Sequence, residues 1–165
     1  MKKLFIFISL VILSKISYSQ DDFLISNWYA YKLYISGMDD YYKADYLARS
    51  LEKNDLVIFA AFSYENNYGY VILSTPSQMD NVANYINFTL IDYELLEYES
   101  ALLSKDLFLE IYSLRNNISV NEINKKPPRY IQLGPKNELS KQLYNIATDI
   151  WLEKYSPKDD NLKNK

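Results

Sequence analysis

The run Asn54-Asp55-Leu56-Val57-Ile58-Phe59-Ala60-Ala61-Phe62-Ser63-Tyr64-Glu65-Asn66-Asn67-Tyr68-Gly69-Tyr70-Val71-Ile72-Leu73-Ser74-Thr75 is the most apolar part of the chain beyond its first twenty residues. Seven consecutive apolar residues, a polar turn and a second apolar run follow one another, and the amphipathic segments on either side must pack onto them. Two readings compete. As a helix, Asn54 is the N-cap, and Val57, Ile58, Ala61, Phe62 and Glu65 fall on one side. As a hairpin, two β-rich runs flank Glu65-Asn66-Asn67-Tyr68-Gly69, a loop whose residues tolerate positive φ. The alanine pair favours the helix, because alanine is the best helix former. A short hairpin at 56–74 in an α+β domain is the alternative.

On the C-terminal side, Thr75-Pro76-Ser77-Gln78 has the pattern of a capping box, with threonine as N-cap, proline at N1 and glutamine at N3. Met79, Val82, Ala83, Ile86, Leu90 and Tyr93 then recur at helical spacing, although Ile86, Phe88 and Leu90 also alternate as in a strand. Leu103, Leu107, Phe108, Ile111 and Leu114 mark a further amphipathic helix closed by Asn116-Asn117. Periodicity leaves open whether 76–115 is one helix or two. Residues 118–134 are a connection, because Pro127-Pro128 deny the chain two amide donors; 129–133 has room for a short strand. After Gly134-Pro135 a last helix follows, with Leu139, Leu143, Ile146, Ala147 and Ile150 as its buried face, and Ser156-Pro157 ends it.

On the N-terminal side, Asp21 and Asp22 can open a helix on which Leu24, Trp28, Tyr31 and Ile35 share a face, closed by Gly37. Asp39 or Asp40 caps a second helix, with Ala44, Leu47, Ala48 and Leu51 buried and Lys53-Asn54 at its end. Only three glycines occur, Gly37, Gly69 and Gly134, too few for an all-β sandwich with its many tight turns. The expected fold is therefore mainly α, a single-domain bundle of about five or six helices over 20–157, with 158–165 as a solvated tail.

The first nineteen residues read as an address. Lys2 and Lys3 precede an apolar segment from Leu4 to Leu13, and Ser17-Tyr18-Ser19 offers small residues for cleavage near Ser19-Gln20. About ten apolar residues are too few to span a bilayer, which needs roughly twenty. The expectation is an exported protein, periplasmic or extracellular, with no stable membrane anchor after cleavage. Removing Lys2, Lys3 and Lys15 lowers the net charge by three, from −3 to −6. An acidic domain without a basic stripe is a poor partner for nucleic acid.

The chain has no histidine and no cysteine. Serine–histidine and cysteine–histidine catalysis, thiol redox chemistry and the commonest zinc ligands are therefore unavailable to it. The nearest two glycines lie 32 positions apart, so there is no glycine-rich phosphate cradle. No cofactor or metal is implied. Carboxylate-only glycan hydrolysis survives, with Glu94, Glu97, Glu99 and Glu110 as the region for an acid pair. The alternative for these acids is an exposed helix face.

Tyrosine is the positive anomaly: all but Tyr18 of the 17 lie beyond the leader. Tyrosine offers a large contact area at low entropic cost, and recognition surfaces favour it. Tyr64, Glu65, Tyr68 and Tyr70 form the candidate binding tip. The functional expectation is a non-catalytic protein that binds another envelope protein, in its specific form an immunity-type inhibitor of a toxin. A carboxylate-dependent glycan hydrolase, or a glycan- or small-ligand-binding module using tyrosine faces, is the alternative.

Overall fold

A computed structural model describes Ile25 and residues 27–156. The expected leader, the helix start at Asp21-Asp22 and the tail 158–165 lie outside the described residues. Within them the chain forms β1 (Tyr29–Ser36), α1 (Tyr41–Glu52), β2 (Val57–Ser63), β3 (Tyr68–Leu73), α2 (Met79–Thr89), β4 (Glu94–Ala101), α3 (Lys105–Arg115) and α4 (Asn137–Tyr155), with 3-10 turns at Pro76–Gln78 and Val120–Glu122. The expected helical bundle is wrong. Four helices pack around a four-stranded antiparallel sheet of order β2-β3-β1-β4, an α+β fold.

The central stretch is the hairpin. β2 pairs with β3 from Ser63↔Tyr68 to Val57↔Leu73, and Asn67 at the turn adopts φ +52°. All of β2 is buried, because helices cover the sheet on both faces there. That two-sided burial produces a continuous apolar run in place of alternation. The alanine pair has the same cause. Ala60 lies against α1 and Ala61 against α3, and both are fully buried, small enough for a helix to come close. A register shift between Val57 and Phe59 turns Ile58 onto the α3 face beside Phe59.

The N-terminal helix expectation also fails over its described part. Tyr29–Ser36 is β1, one of the two inner strands, paired with β3 on one side and β4 on the other. Its period is two: Tyr31, Leu33 and Ile35 face one core, while Ala30, Lys32 and Tyr34 share the other face with Ile72, Tyr70 and Tyr68. Tyr31 and Ile35 fit both periods, Trp28 precedes the strand and packs on the opposite core, and the aromatic, β-rich composition of 29–35 was the discriminating sign.

β1 and β2 both run antiparallel to β3, so α1 is a crossover between parallel strands with β3 slotted between them. β3 and β4 are related in the same way around β1 through α2. The order β-α-β-β-α-β is thus a split βαβ pair. Its two helices share one face, where Ala44, Leu47, Ala48 and Leu51 of α1 and Met79, Val82 and Ile86 of α2 meet Leu33, Ile35, Val71 and Leu73. On the other face Phe108, Leu109, Ile111 and Tyr112 of α3 lie between the sheet and α4, whose Leu143, Ile146, Ala147 and Ile150 complete that core as expected.

Two helices, α1 and α4, start and stop close to where the sequence placed them, and α3 ends where it was expected to. Asp40 caps α1 by accepting from the Lys43 amide, and Lys53 is its C-cap. α3 ends at Asn116, with Asn117 at φ +56°. α4 runs to Tyr155. The capping box at Thr75 does not form: Thr75 leads into a 3-10 turn without a side-chain cap, and α2 follows from Met79. The span 76–115 holds two helices with β4 between them, and no strand forms at 129–133.

That last segment is nonetheless fixed. Tyr112, stacked on Phe59, donates its hydroxyl to the Arg129 carbonyl at 3.2 Å, and the Leu133 amide donates to Ser140 Oγ at 3.0 Å. Burial raises the Tyr112 pKa, so the hydroxyl stays a donor. Tyr112→Phe keeps the ring contacts and loses one hydrogen bond. It is expected to cost about 1 kcal/mol, read as a lower urea midpoint at unchanged m-value.

Candidate binding surface

The hairpin gathers three of the four expected site residues. Tyr64, Glu65 and Tyr68 line a cavity of about 220 Å³ together with Tyr41, Glu110 and Asn117. Tyr64 extends its hydroxyl to Glu65 Oε1 at 3.4 Å. Tyr70 does not join them. It lies one pair further along β3, is buried, and meets Tyr68 edge-on at a centroid distance of 5.9 Å. Burial, with Glu110 nearby, raises its pKa.

The larger feature is the sheet face around this cavity. α3, backed by α4, covers β2 and β3, but on the same face Lys32 and Tyr34 of β1 are only half-buried and β4 is mostly exposed, Ala30 at the far end being buried. Register places Lys32 between Tyr70 and Glu99, and Tyr34 between Tyr68 and Glu97. Lys32 Nζ lies 4.9 Å from the centre of the Tyr34 ring and 4.7 Å from that of Tyr68, a cation held over two aromatic faces. The neighbouring Tyr34 hydroxyl, which donates to Glu99 Oε1 at 3.2 Å, raises the Lys32 pKa against the opposing effect of desolvation. The result is a tyrosine strip around one lysine, bordered by the exposed acids Glu97 and Glu99.

Of the four acids expected on an exposed helix face, only Glu110 is helical, on α3; Glu94, Glu97 and Glu99 lie along β4. A register irregularity between Tyr34 and Ile35 leaves Leu96 as the unpaired residue, which stays exposed. Glutamate is depleted in strands, and together with this bulge it hides β4 from a period-two reading.

The two edges of the sheet differ. On β2, Glu52 Oε1 accepts the Ala60 amide at 3.2 Å, and Lys136 Nζ donates to the Val57 carbonyl at 3.4 Å and to that of Asn54, in the turn before the strand, at 3.1 Å. Side chains thus occupy outward-facing backbone groups, one way a protein blunts an edge strand. On β4, the Leu95 amide donates to Asn87 Oδ1 at 2.8 Å, and no other strand or helix among the described residues covers the outer edge. β4 is eight residues long and mostly exposed, with Leu96 and Tyr98 among its accessible side chains.

Among the described residues no three acidic side chains gather to hold a metal ion, and no helix is long and apolar enough to cross a membrane. Lys32 and Tyr34 were missed in the sequence, since only the sheet register joins them to Tyr68. Compared with family models, curated proteins and solved structures, the chain finds no match.

Proposed function

We propose that this chain is an exported, non-catalytic protein that binds another protein of the bacterial envelope, as an immunity-type inhibitor binds a toxin. One observation carries the reading: β2 is buried throughout and side chains hold its Ala60 amide and Val57 carbonyl, while β4, apart from the Leu95 amide, and the tyrosine–glutamate face beside it are open. An open edge offers main-chain hydrogen bonds to an added strand, and the flanking side chains select it. Glu94, Glu97 and Glu99 favour a basic segment. Two copies joined edge to edge would bring these glutamates together, a like-charge cost. The partner is accordingly a different protein that presents an extended basic segment. The leader-like first nineteen residues and the lack of histidine and cysteine suit the same role.

The test is affinity capture from an envelope extract of the native host, comparing wild type with the Glu97→Lys/Glu99→Lys double variant. Both side chains are exposed, so the variant is expected to fold, as circular dichroism will check. The expected result is a stoichiometric partner recovered by wild type and reduced at least tenfold with the variant, a loss of about 1.4 kcal/mol or more. Failure to recover any stoichiometric partner, or equal recovery by both proteins, contradicts the proposal.

A further inference from the structure

The chain has three arginines, Arg49, Arg115 and Arg129. They come from the last turn of α1, the end of α3 and the loop before α4, and all three line one open cleft of about 540 Å³, with Tyr41 and Tyr130 at its sides. In an acidic chain that otherwise uses lysine for its positive charge, this convergence needs a reason. Part of it is structural. Asp45 takes Arg49 Nε at 2.6 Å and also Arg115 Nη1, and Glu52 lies 3.4 Å from Arg115 Nη2.

That accounting leaves a surplus. Asp45 is the one carboxylate lining the cleft, against three guanidiniums. The Arg129 side chain is exposed and has no acceptor among the described residues, although its backbone is held by Tyr112. Arg115, 4% exposed, keeps Nε without a hydrogen-bond partner among the described residues. A buried donor left unpaired is costly, and native structures rarely keep one without use.

We infer that this cleft binds a small ligand through an oxyanion, a carboxylate or a phosphate group, with Arg129 as its direct donor and Arg49 and Arg115 supplying the surrounding positive field. Guanidinium is the side chain suited to this, because its planar fork matches both groups with paired N–H donors. Tyr41 and Tyr130 supply aromatic walls for the body of the ligand. The site is separate from the β4 face and stands or falls independently of the partner proposed above.

The test is isothermal titration of the full chain with inorganic phosphate and, separately, with succinate, at constant ionic strength set by sodium chloride so that screening is equal throughout. The comparison proteins are Arg129→Gln and, as a control for general surface charge, Lys125→Gln, which alters an exposed cation four residues away. Saturable binding of at least one anion is expected with Kd of about 1 mM or tighter, weakened at least tenfold by Arg129→Gln and unchanged by Lys125→Gln. Binding of phosphate alone assigns a phosphate ester, and binding of succinate alone assigns a carboxylate. Absence of saturable binding by either anion overturns the inference, as does equal weakening by both variants or none by Arg129→Gln.

Discussion

Arg115→Met is expected to destabilise the protein by roughly 3–5 kcal/mol at pH 8, and by clearly less at pH 5. Arg115 and Glu52 are 4% and 5% exposed, and Glu52 gives its other oxygen to the Ala60 amide. Removing the guanidinium leaves a buried carboxylate with one backbone partner, a far greater cost than losing an exposed ion pair. The pH dependence follows from the directions of the shifts. Burial raises the Glu52 pKa, against the pull of Arg115 and the Ala60 amide. A raised carboxyl contributes stability below its unfolded pKa, and that contribution is lost as pH climbs through the folded value.

Without Arg115 the folded pKa of Glu52 rises further, so acidification protonates it and relieves the variant more than the wild type. Asp45 works in the opposite sense. Burial opposes its ionisation, but Arg49 and Arg115 outweigh that and lower its pKa, so its contribution is present above its unfolded pKa and fades only in stronger acid, through its lowered folded pKa. Urea unfolding at the two pH values checks this. A loss below about 1 kcal/mol at pH 8, or one that grows on acidification, contradicts the buried-pair account.

Gly37→Ala is expected to cost roughly 3 kcal/mol or more, combining backbone strain and overpacking of about 1–3 kcal/mol each. Gly37 sits just past β1 at φ +92°, and a β-carbon there would overlap the carbonyl oxygen of Asp92, with Tyr93 Cα close behind. These are backbone atoms at the turn leading into β4, so relief requires β1 and β4 to part where Ser36 pairs with Glu94. Gly134→Ala is the internal control. Gly134 also has positive φ, +52°, but nothing lies within 4 Å of the added carbon. It is expected to lose only about 1 kcal/mol, the left-handed backbone cost alone. Thermal unfolding of the pair separates the two terms, and equal losses would show that crowding at Asp92 is not the cause.

Local signals explain what the sequence made legible. α1 could be read from Asp40 and the Ala44, Leu47, Ala48, Leu51 face, since its cap and period agree and it has one buried side. α3 and α4 were readable from their period and their ends, while the start of α3 at Ser104 was not. The sheet was hidden by tertiary context. β2 is buried on both faces and so has no period, and its alanines mark close helix approach rather than helix propensity. In β1 the four-residue step from Tyr31 to Ile35 suits a helix and its own alternation alike, while Trp28, which completes the helical spacing, lies before the strand and packs on the other core. β4 is broken by a bulge at Leu96 and rich in glutamate.

The candidate site divides along the same line. Tyr64, Glu65 and Tyr68 meet because a hairpin turn makes neighbours in sequence neighbours in space. Lys32, Tyr34 and Glu99 meet only through register. The arginine cleft joins residues as far apart as 49 and 129, and its one sequence trace is that these are the chain's whole complement of arginine.

The central claim is that the sheet has one closed and one open edge, and amide hydrogen exchange of the free protein, followed residue by residue by NMR, tests it most directly. The Ala60 amide, held by Glu52, is expected to exchange as slowly as the sheet interior, while the β4 amides that bond neither β1 nor Asn87 exchange orders of magnitude faster. Protection along the outer edge of β4 equal to that of Ala60 would contradict the claim, because something in the free protein would already be covering it.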